Sequence, residues 1–501
     1  MSDPSDQRLS YRFGPLERRG LLGAVRGGQA MLLAGAAAAA IVLLDLYPTA
    51  TGGFLAVVLF AAAAGLGFAP IGARTAEEWV PVVAAFAMQR LRGRHRFAST
   101  APLSGLVARG VGAGRPRLSA PEADAPPSLR GVALLEIPYR DRSIGVVCEA
   151  RGRRLTAVLA CRVVAFSLLD PEAQERRLAR WGLVLSGAAG TAIRRIQWVE
   201  RTAPAQGDEL ARWLHAERDP AIPLRGTPMI DSYLELISTT AKVTQEHEIL
   251  VAVQVDARSV RERGPSATTR ALVEQTERVA QGLESAEVTV LGALSRSQLA
   301  RALRTAFDPY AGTELAALEA VDSGGDRLRE SSAWPLGTQE HWDHCQADGA
   351  LHATYWIGGW PRVDVSPMFM DALLGRSSAV RTVAVTIEPL PPDRSTRQVE
   401  AAVTRDRADR ELRRRFGQSE TARQRQAGEA TARREAELAA GHSEVRLAGF
   451  VTVTGRDGDD LRRACSEVHE HAARARIELH RMYGQQARAF TFTLPLCRGL
   501  R

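Results

Sequence analysis

The sequence predicts a transmembrane hairpin of two helices at the N-terminus, followed by cytoplasmic α/β or α+β modules that carry a helical arm. Three observations lead there. Two apolar runs lie close together, from Ala30 to Leu44 and from Phe54 to Ile71. Beyond residue 130, short β-rich runs alternate with amphipathic helical stretches. From Asp393 to His442 the chain is dense in Arg, Glu and Ala, all good helix formers.

The hairpin is expected over residues 30–71, after a cytoplasmic segment at 1–29. Each apolar run is near the lower limit of about 17 residues for crossing a bilayer. Between them "DLYPTATGG" supplies Pro48, Gly52 and Gly53 as turn residues. Arg8, Arg12, Arg18, Arg19 and Arg26 precede the first run, and Arg74, Arg90, Arg92, Arg94 and Arg96 follow the second. The connecting loop has no Lys or Arg. The positive-inside rule then puts both termini in the cytoplasm and the chain in the plasma membrane. An amphipathic helix is expected over 72–96, with Trp79, Val82, Val83, Phe86 and Leu91 on one face. Arg26, Arg74 and Trp79 are the candidate membrane-interface residues, and lipid is the implied partner. A third helix packed on protein reads the same way.

Residues 97–130 read as a linker rich in Pro, Gly, Ala and Ser. A first module is expected at 131–310. "GVALLEIPY", "SIGVVCEA" and "RLTAVLACRVV" are three strands, and Asp170 caps the helix "PEAQERRLARWGLVLSGA". "AIRRIQWVERT", "EILVAVQVDA" and "EVTVLGAL" are further strands. "MIDSYLELISTTAKVT", "TRALVEQTERVAQGLESA" and "SRSQLARALRTAF" are helices. The second module, 311–501, repeats the alternation: strand "ALHATYWIGGWPR", helix "SPMFMDALLG", strands "RTVAVTIEPL" and "EVRLAGFVTVTG". A helix "DDLRRACSEVHEHAARARIELHRMY" and a final strand "FTFTL" complete it. A ferredoxin-like arrangement is one option for each module. The polar stretch at about 393–442 reads as a helical hairpin interrupted at Gly417 and Gly428. Arg413, Arg414 and Arg415 make it a candidate docking arm or nucleic-acid contact, but interspersed acidic residues favour a solvated helix pair.

Chemistry is sparse. A phosphate-binding loop needs a lysine, and the only one, Lys242, sits in a helical stretch. No HExxH, GxSxG or CxxC occurs, and five dispersed cysteines argue against a disulfide framework. The expectation is a non-enzymatic chain without cofactor or metal. His341, Asp343, His344 and Cys345 are too crowded for a usual tetrahedral site, and Cys465 and His469 at i,i+4 read as a helix surface. Tyr355, Trp356 and Trp360 are either aromatic docking anchors or strand core. Net charge is +8, which permits an acidic partner without requiring one.

The run from "DGALHATYWIGGWPR" to "YGQQARAFTFTLPL" resembles the N-terminal, non-motor region of the assembly ATPases of type IV secretion and conjugation. Gln486, Ala489, Phe490, Leu494, Pro495 and Leu496 match a stretch that precedes the motor there. The hairpin behind "YRFGPLERRG" is similar to the small two-span subunit that partners those ATPases, and the whole arrangement is similar to an actinobacterial integral-membrane family. The resemblance implies a membrane-anchored scaffold that recruits a separate ATPase, with the motor on another chain and a homo-oligomer permitted. Two other expectations stand beside it. One is a peripheral membrane subunit of type VII secretion; the other is a membrane-tethered DNA-binding protein, which is not favoured.

Overall fold

The computed structural model describes residues 27–71, 74–99, 125–163, 166–204, 245–262, 264–310, 333–361, 365–375, 377–415, 422–439 and 443–500, with 228 and 232 singly. Two units are distinct: one around residues 15–95, and one formed by 96–482 with 486–501.

The first unit holds α1 (Gly27–Leu46), α2 (Ala50–Phe68) and α3 (Ala76–Leu91). The spans of 20 and 19 residues exceed the apolar runs because polar and small residues extend each helix. At 1.5 Å per residue each reaches about 30 Å, the depth of a bilayer's hydrocarbon core. Ile41, Val42, Phe54, Val57 and Phe60 are exposed, so the apolar surface is not consumed by packing. Helices that are apolar all round and outwardly bare fit a lipid environment. The Gln29 side chain donates to Gly67 O at 2.8 Å and ties the two helices together. The expected turn is shorter than "DLYPTATGG": Thr49 caps α2 by accepting from Gly52 N–H at 3.3 Å. Gly52 and Gly53 therefore lie inside α2, and a Cβ on Gly52 would stand 2.0 Å from Tyr47 O. In α3, Val82 is buried, Trp79 and Phe86 are half-buried, and Val83 and Leu91 are exposed.

The second unit is built on one sheet of 13 strands. These are β3 (Arg96–Ala98), β4 (Ala133–Tyr139), β5 (Arg142–Glu149), β6 (Arg154–Arg162), β7 (Ile193–Pro204), β8 (Gln245–Asp256) and β9 (Thr289–Ala293). They continue with β10 (Gly337–Glu340), β11 (Cys345–Ala347), β12 (Ala350–Gly359), β13 (Val380–Pro389), β14 (Val445–Gly455) and β15 (Glu478–Arg481). Two short strands of the first unit, β1 (Pro70–Ile71) and β2 (Arg74–Thr75), pair only with each other. The helices are α4 (Pro171–Ala188), α5 (Pro265–Ser285), α6 (Arg296–Phe307), α7 (Asp371–Leu374), α8 (Pro392–Arg415), α9 (Ala422–Ala439), α10 (Gly458–Arg474) and α11 (Gln486–Phe490).

The sheet contains the same arrangement twice. In the first half β6, α4, β7, β8, α5 and β9 follow in the chain, and the strands lie side by side as β9-β6-β8-β7. In the second half β12, α7, β13, β14, α10 and β15 give β15-β12-β14-β13. Both are β-α-β-β-α-β units. They meet at an antiparallel seam between β7 and β13, with Trp198 opposite Val385 and Ile196 opposite Ile387. Each half adds two flanking strands before its first, β4–β5 and β10–β11.

Strand alternation gives the sheet two faces. On one, Val251, Val253 and Ile196 meet α5, while Val383, Val451 and Val453 meet α10. On the other, Leu250, Ala252, Val199 and Ala384 meet α6, Leu129, Trp334 and the chain's last segment. Between α6 and β5 the approach is close. A Cβ on Gly145 would lie 2.7 Å from the Arg296 Cα and 2.8 Å from Ser295 O, both backbone. Gly145→Ala is therefore expected to cost about 2 kcal/mol, readable as a fall in thermal midpoint.

Several expectations change. The terminal "FTFTL" is no strand: α11 ends at Phe490, and 491–497 is a buried irregular segment. Sheet side chains replace the missing ladder. Gln197 accepts from Cys497 N–H at 2.7 Å and donates to Phe492 O at 2.8 Å. Gln254 donates to Leu496 O, Thr386 to Arg498 O, and Arg195 to Cys497 O and Leu500 O. The helix expected through Tyr483 stops at Arg474, and Glu478–Arg481 instead pairs with β12. "SPMFMDALLG" yields only the four-residue α7. The stretch 97–130 is not all linker: β3 pairs with β10, and Leu129 is fully buried. Gly428 does not interrupt α9. The helix expected at 229–244 and the residues around Gly417 lie outside the described residues.

Candidate functional site

The helix-covered face is open over the seam. Here α4 lies beside β7 and β13, and a cavity of about 320 Å³ remains, lined by Phe166, Leu178, Trp181, Trp198, Val385 and Ile387. Its lining is almost wholly apolar apart from Arg177. Trp181 meets Trp198 edge-on, with ring centroids 5.9 Å apart. Leu168, in the turn before α4, is 80% exposed.

The opening follows from chain length. In the first half, β6 connects to β7 through the 18-residue α4, whose N-cap Asp170 accepts from Ala173 N–H at 2.7 Å. The corresponding connection from β12 to β13 holds, among the described residues, only the four-residue α7. α7 buries Leu373 near Val383 and Ala379, one end of β13. Val385, further along, is left half-covered. Arg177 stands at the groove wall, 11% exposed. Its Nε pairs with Glu287 at 2.9 Å, and Arg180 shares the same carboxylate at 2.9 Å. The hydrogen bond from the Arg177 guanidinium holds the Glu287 carboxyl below its usual range. Arg177 Nη1 is buried and has no hydrogen-bond partner among the described residues.

The aromatic strand is divided. Tyr355, 2% exposed, is core: its ring meets His469 edge-on at 4.9 Å and lies under Arg481. It is unavailable as a docking anchor, because β12 is a central strand with that side turned to α10. Trp356 is half-buried against His480, and Trp360 half-buried beside Gly449. Arg414 and Arg415 lie exposed at the end of α8, and Arg415 pairs with Glu411 at 3.4 Å. Arg413 belongs to α8, but its side chain lies outside the described residues. So does Arg26. Arg74 stacks over Trp79 at 5.4 Å, so those two interface candidates are neighbours.

The histidine clusters are bound up locally. His469 Nδ1 hydrogen-bonds Cys465 O, the backbone carbonyl, at 2.8 Å. His344 pairs with Asp343 at 2.8 Å and stacks on His341. Burial pushes the Cys345 thiol up, with nearby Glu340 adding to the shift. Among the described residues no three His, Cys, Asp or Glu side chains are gathered around a metal-sized point.

Residues 243–357 match the family model described as "Putative type VII ESX secretion system translocon, EccE". No curated protein matches the chain. The matched stretch is less than a quarter of the 501 residues. It runs from β8 through α5, β9, α6, β10 and β11 to Ile357 of β12, and so links the two halves of the sheet. The groove residues Ala286 and Val288 fall inside it; α4, β7 and β13 fall outside. Of the three expectations drawn from the sequence, the match supports type VII secretion.

Proposed function

We propose that this chain is a membrane subunit of a type VII secretion assembly, a scaffold rather than a catalyst. The observation that carries this reading is the EccE match across the junction of the two halves. The apolar hairpin supports membrane attachment, as two spans with both ends cytoplasmic by the arginine distribution. The ferredoxin-like halves and the α8–α9 arm then face the cytoplasm, where a separate ATPase of the assembly is a natural partner. The type IV resemblance leans on Gln486, Phe490 and Leu494, which are buried here and serve the chain's own core.

The test is purification of the full-length chain from its native membrane in mild detergent. Type VII core proteins, including an ATPase with a phosphate-binding loop, are expected at near-stoichiometric recovery. Recovery of a conjugation ATPase instead, or of no secretion protein, would overturn the assignment.

A further inference from the structure

We propose that the groove over the β7–β13 seam receives an amphipathic helix from a partner protein, one that carries an acidic side chain for Arg177. The inference rests on the reading of the chain as an assembly subunit and names the surface and partner chemistry.

Three observations converge. First, the groove is the vacancy left by internal repetition. α4 covers its half of the seam, whereas its counterpart α7 is one turn long. The uncovered space beside α4 lies where the repeat would place a longer helix, since an 18-residue helix fills the equivalent connection in the other half. Second, the lining suits an apolar stripe. Leu178, Trp181, Trp198, Val385 and Ile387 present aromatic and branched surfaces at which side chains spaced i, i+3, i+4 can seat. Third, the wall carries excess positive charge. Arg177 lines the groove, and it shares the single carboxylate of Glu287 with Arg180, three residues along α4. Two guanidinium groups against one carboxylate leave a positive excess beside an apolar lining, where a carboxylate on the incoming helix gains a charge-assisted pair.

The probes are two synthetic 18-residue helices of the same Leu/Ala stripe, one with Glu and one with Lys on the polar face. Binding is read by fluorescence anisotropy on the detergent-solubilised full-length protein. The Glu helix is expected to bind at least about tenfold more tightly than the Lys helix. Arg177→Met should remove that preference while keeping residual binding. Leu178→Asp should abolish binding of both. Val385→Thr, nearly isosteric and strand-compatible, should weaken both without altering the thermal midpoint, which guards against misfolding of the other variants. Equal affinity for the two helices, or binding unchanged in Val385→Thr and Leu178→Asp, would overturn the proposal.

The same Leu178→Asp variant is then carried through the native-membrane purification. Loss of a partner recovered with the unaltered chain supports the groove as its seat. If the unaltered chain recovers type VII proteins and the variant recovers them equally, the groove proposal falls and the assembly reading stands. If the unaltered chain recovers none, the assembly reading falls, and the peptide affinities alone decide for or against the groove. A photo-crosslinker at Leu178 that joins the chain to itself or to a second copy also overturns the partner assignment.

Discussion

Deleting residues 491–501 is expected to unfold the sheet-bearing unit, not merely to trim its end. Phe490, Leu494 and Leu496 sit in the same core as Leu250, Ala252 and Val199. Removing the last two strips about 2–5 kcal/mol for each buried Leu, by analogy with large-to-small core changes. The deletion also strands polar groups on the bared sheet face. Gln197, Gln254, Arg195 and Thr386 each lose a backbone partner. Each such buried group costs roughly 1–3 kcal/mol when left unmade, although water would reach part of the opened face. Together these losses are as large as the roughly 5–15 kcal/mol by which domains are stable, or larger. Circular dichroism and limited proteolysis of the truncated chain are the checks. A truncated protein that keeps a cooperative melt within a few degrees of the full chain would contradict the described role of the tail.

The second large effect is a dependence on pH through His352. This residue is fully buried on β12, with Nε2 2.8 Å from Phe307 O and Nδ1 3.0 Å from Thr454 Oγ1. A neutral ring satisfies both, with Nε2–H donating to the carbonyl and Nδ1 accepting from the hydroxyl. Desolvation lowers its pKa from 6.5 to about 4. The folded pKa lies below the unfolded one, so the unfolded chain binds more protons between them. Stability from this residue is complete above pH 6.5, falls as the pH drops towards about 4, and levels off below. A gap of that size corresponds to about 3 kcal/mol. His352→Gln keeps one donor and one acceptor but does not titrate. The variant should be less stable at neutral pH, and the difference from the unaltered chain should shrink as the medium is acidified. A difference that stays constant between pH 7 and 4 would show that His352 does not titrate in this way.

Much of the fold was legible in the chain. The long runs that became β4 to β9 and β12 to β14 carry enough alternation or branched residues to declare themselves, and Asp170 announced its helix as a cap. What stayed hidden was decided elsewhere in the molecule. β3, β10, β11 and β15 have only three or four residues each, too short for a period to emerge. Phe490 to Leu494 alternate like a strand, yet no ladder partner remains, and Gln197, Gln254 and Arg195 supply the hydrogen bonds instead. The segment from Gly458 to Tyr483 is helix-forming throughout by composition, but the free edge of β12 claims its end.

The candidate site was less visible. Tyr355, Trp356 and Trp360 stand out by residue type, but which side of β12 is covered depends on α10 and β15. The groove could not be read from its own residues, which are scattered from Val163 to Ile387. A signal existed in the unequal connections: among the described residues, an 18-residue α-helix between β6 and β7, and one of four residues between β12 and β13. Without knowing that the two halves share one topology, that inequality has no meaning.

The antiparallel seam has a geometric consequence. β7 and β13 each end in an inserted connection, one towards β8 and one into the α8–α9 arm. Because Thr202 lies opposite Arg381 while Ile196 lies opposite Ile387, those two departures are at opposite ends of the strand pair. The two points of departure are thereby held at a separation set by strand length, not by a linker. Partners that grip both points would engage the second at a high effective concentration, so modest contacts at each would add up to avidity without any single tight interface.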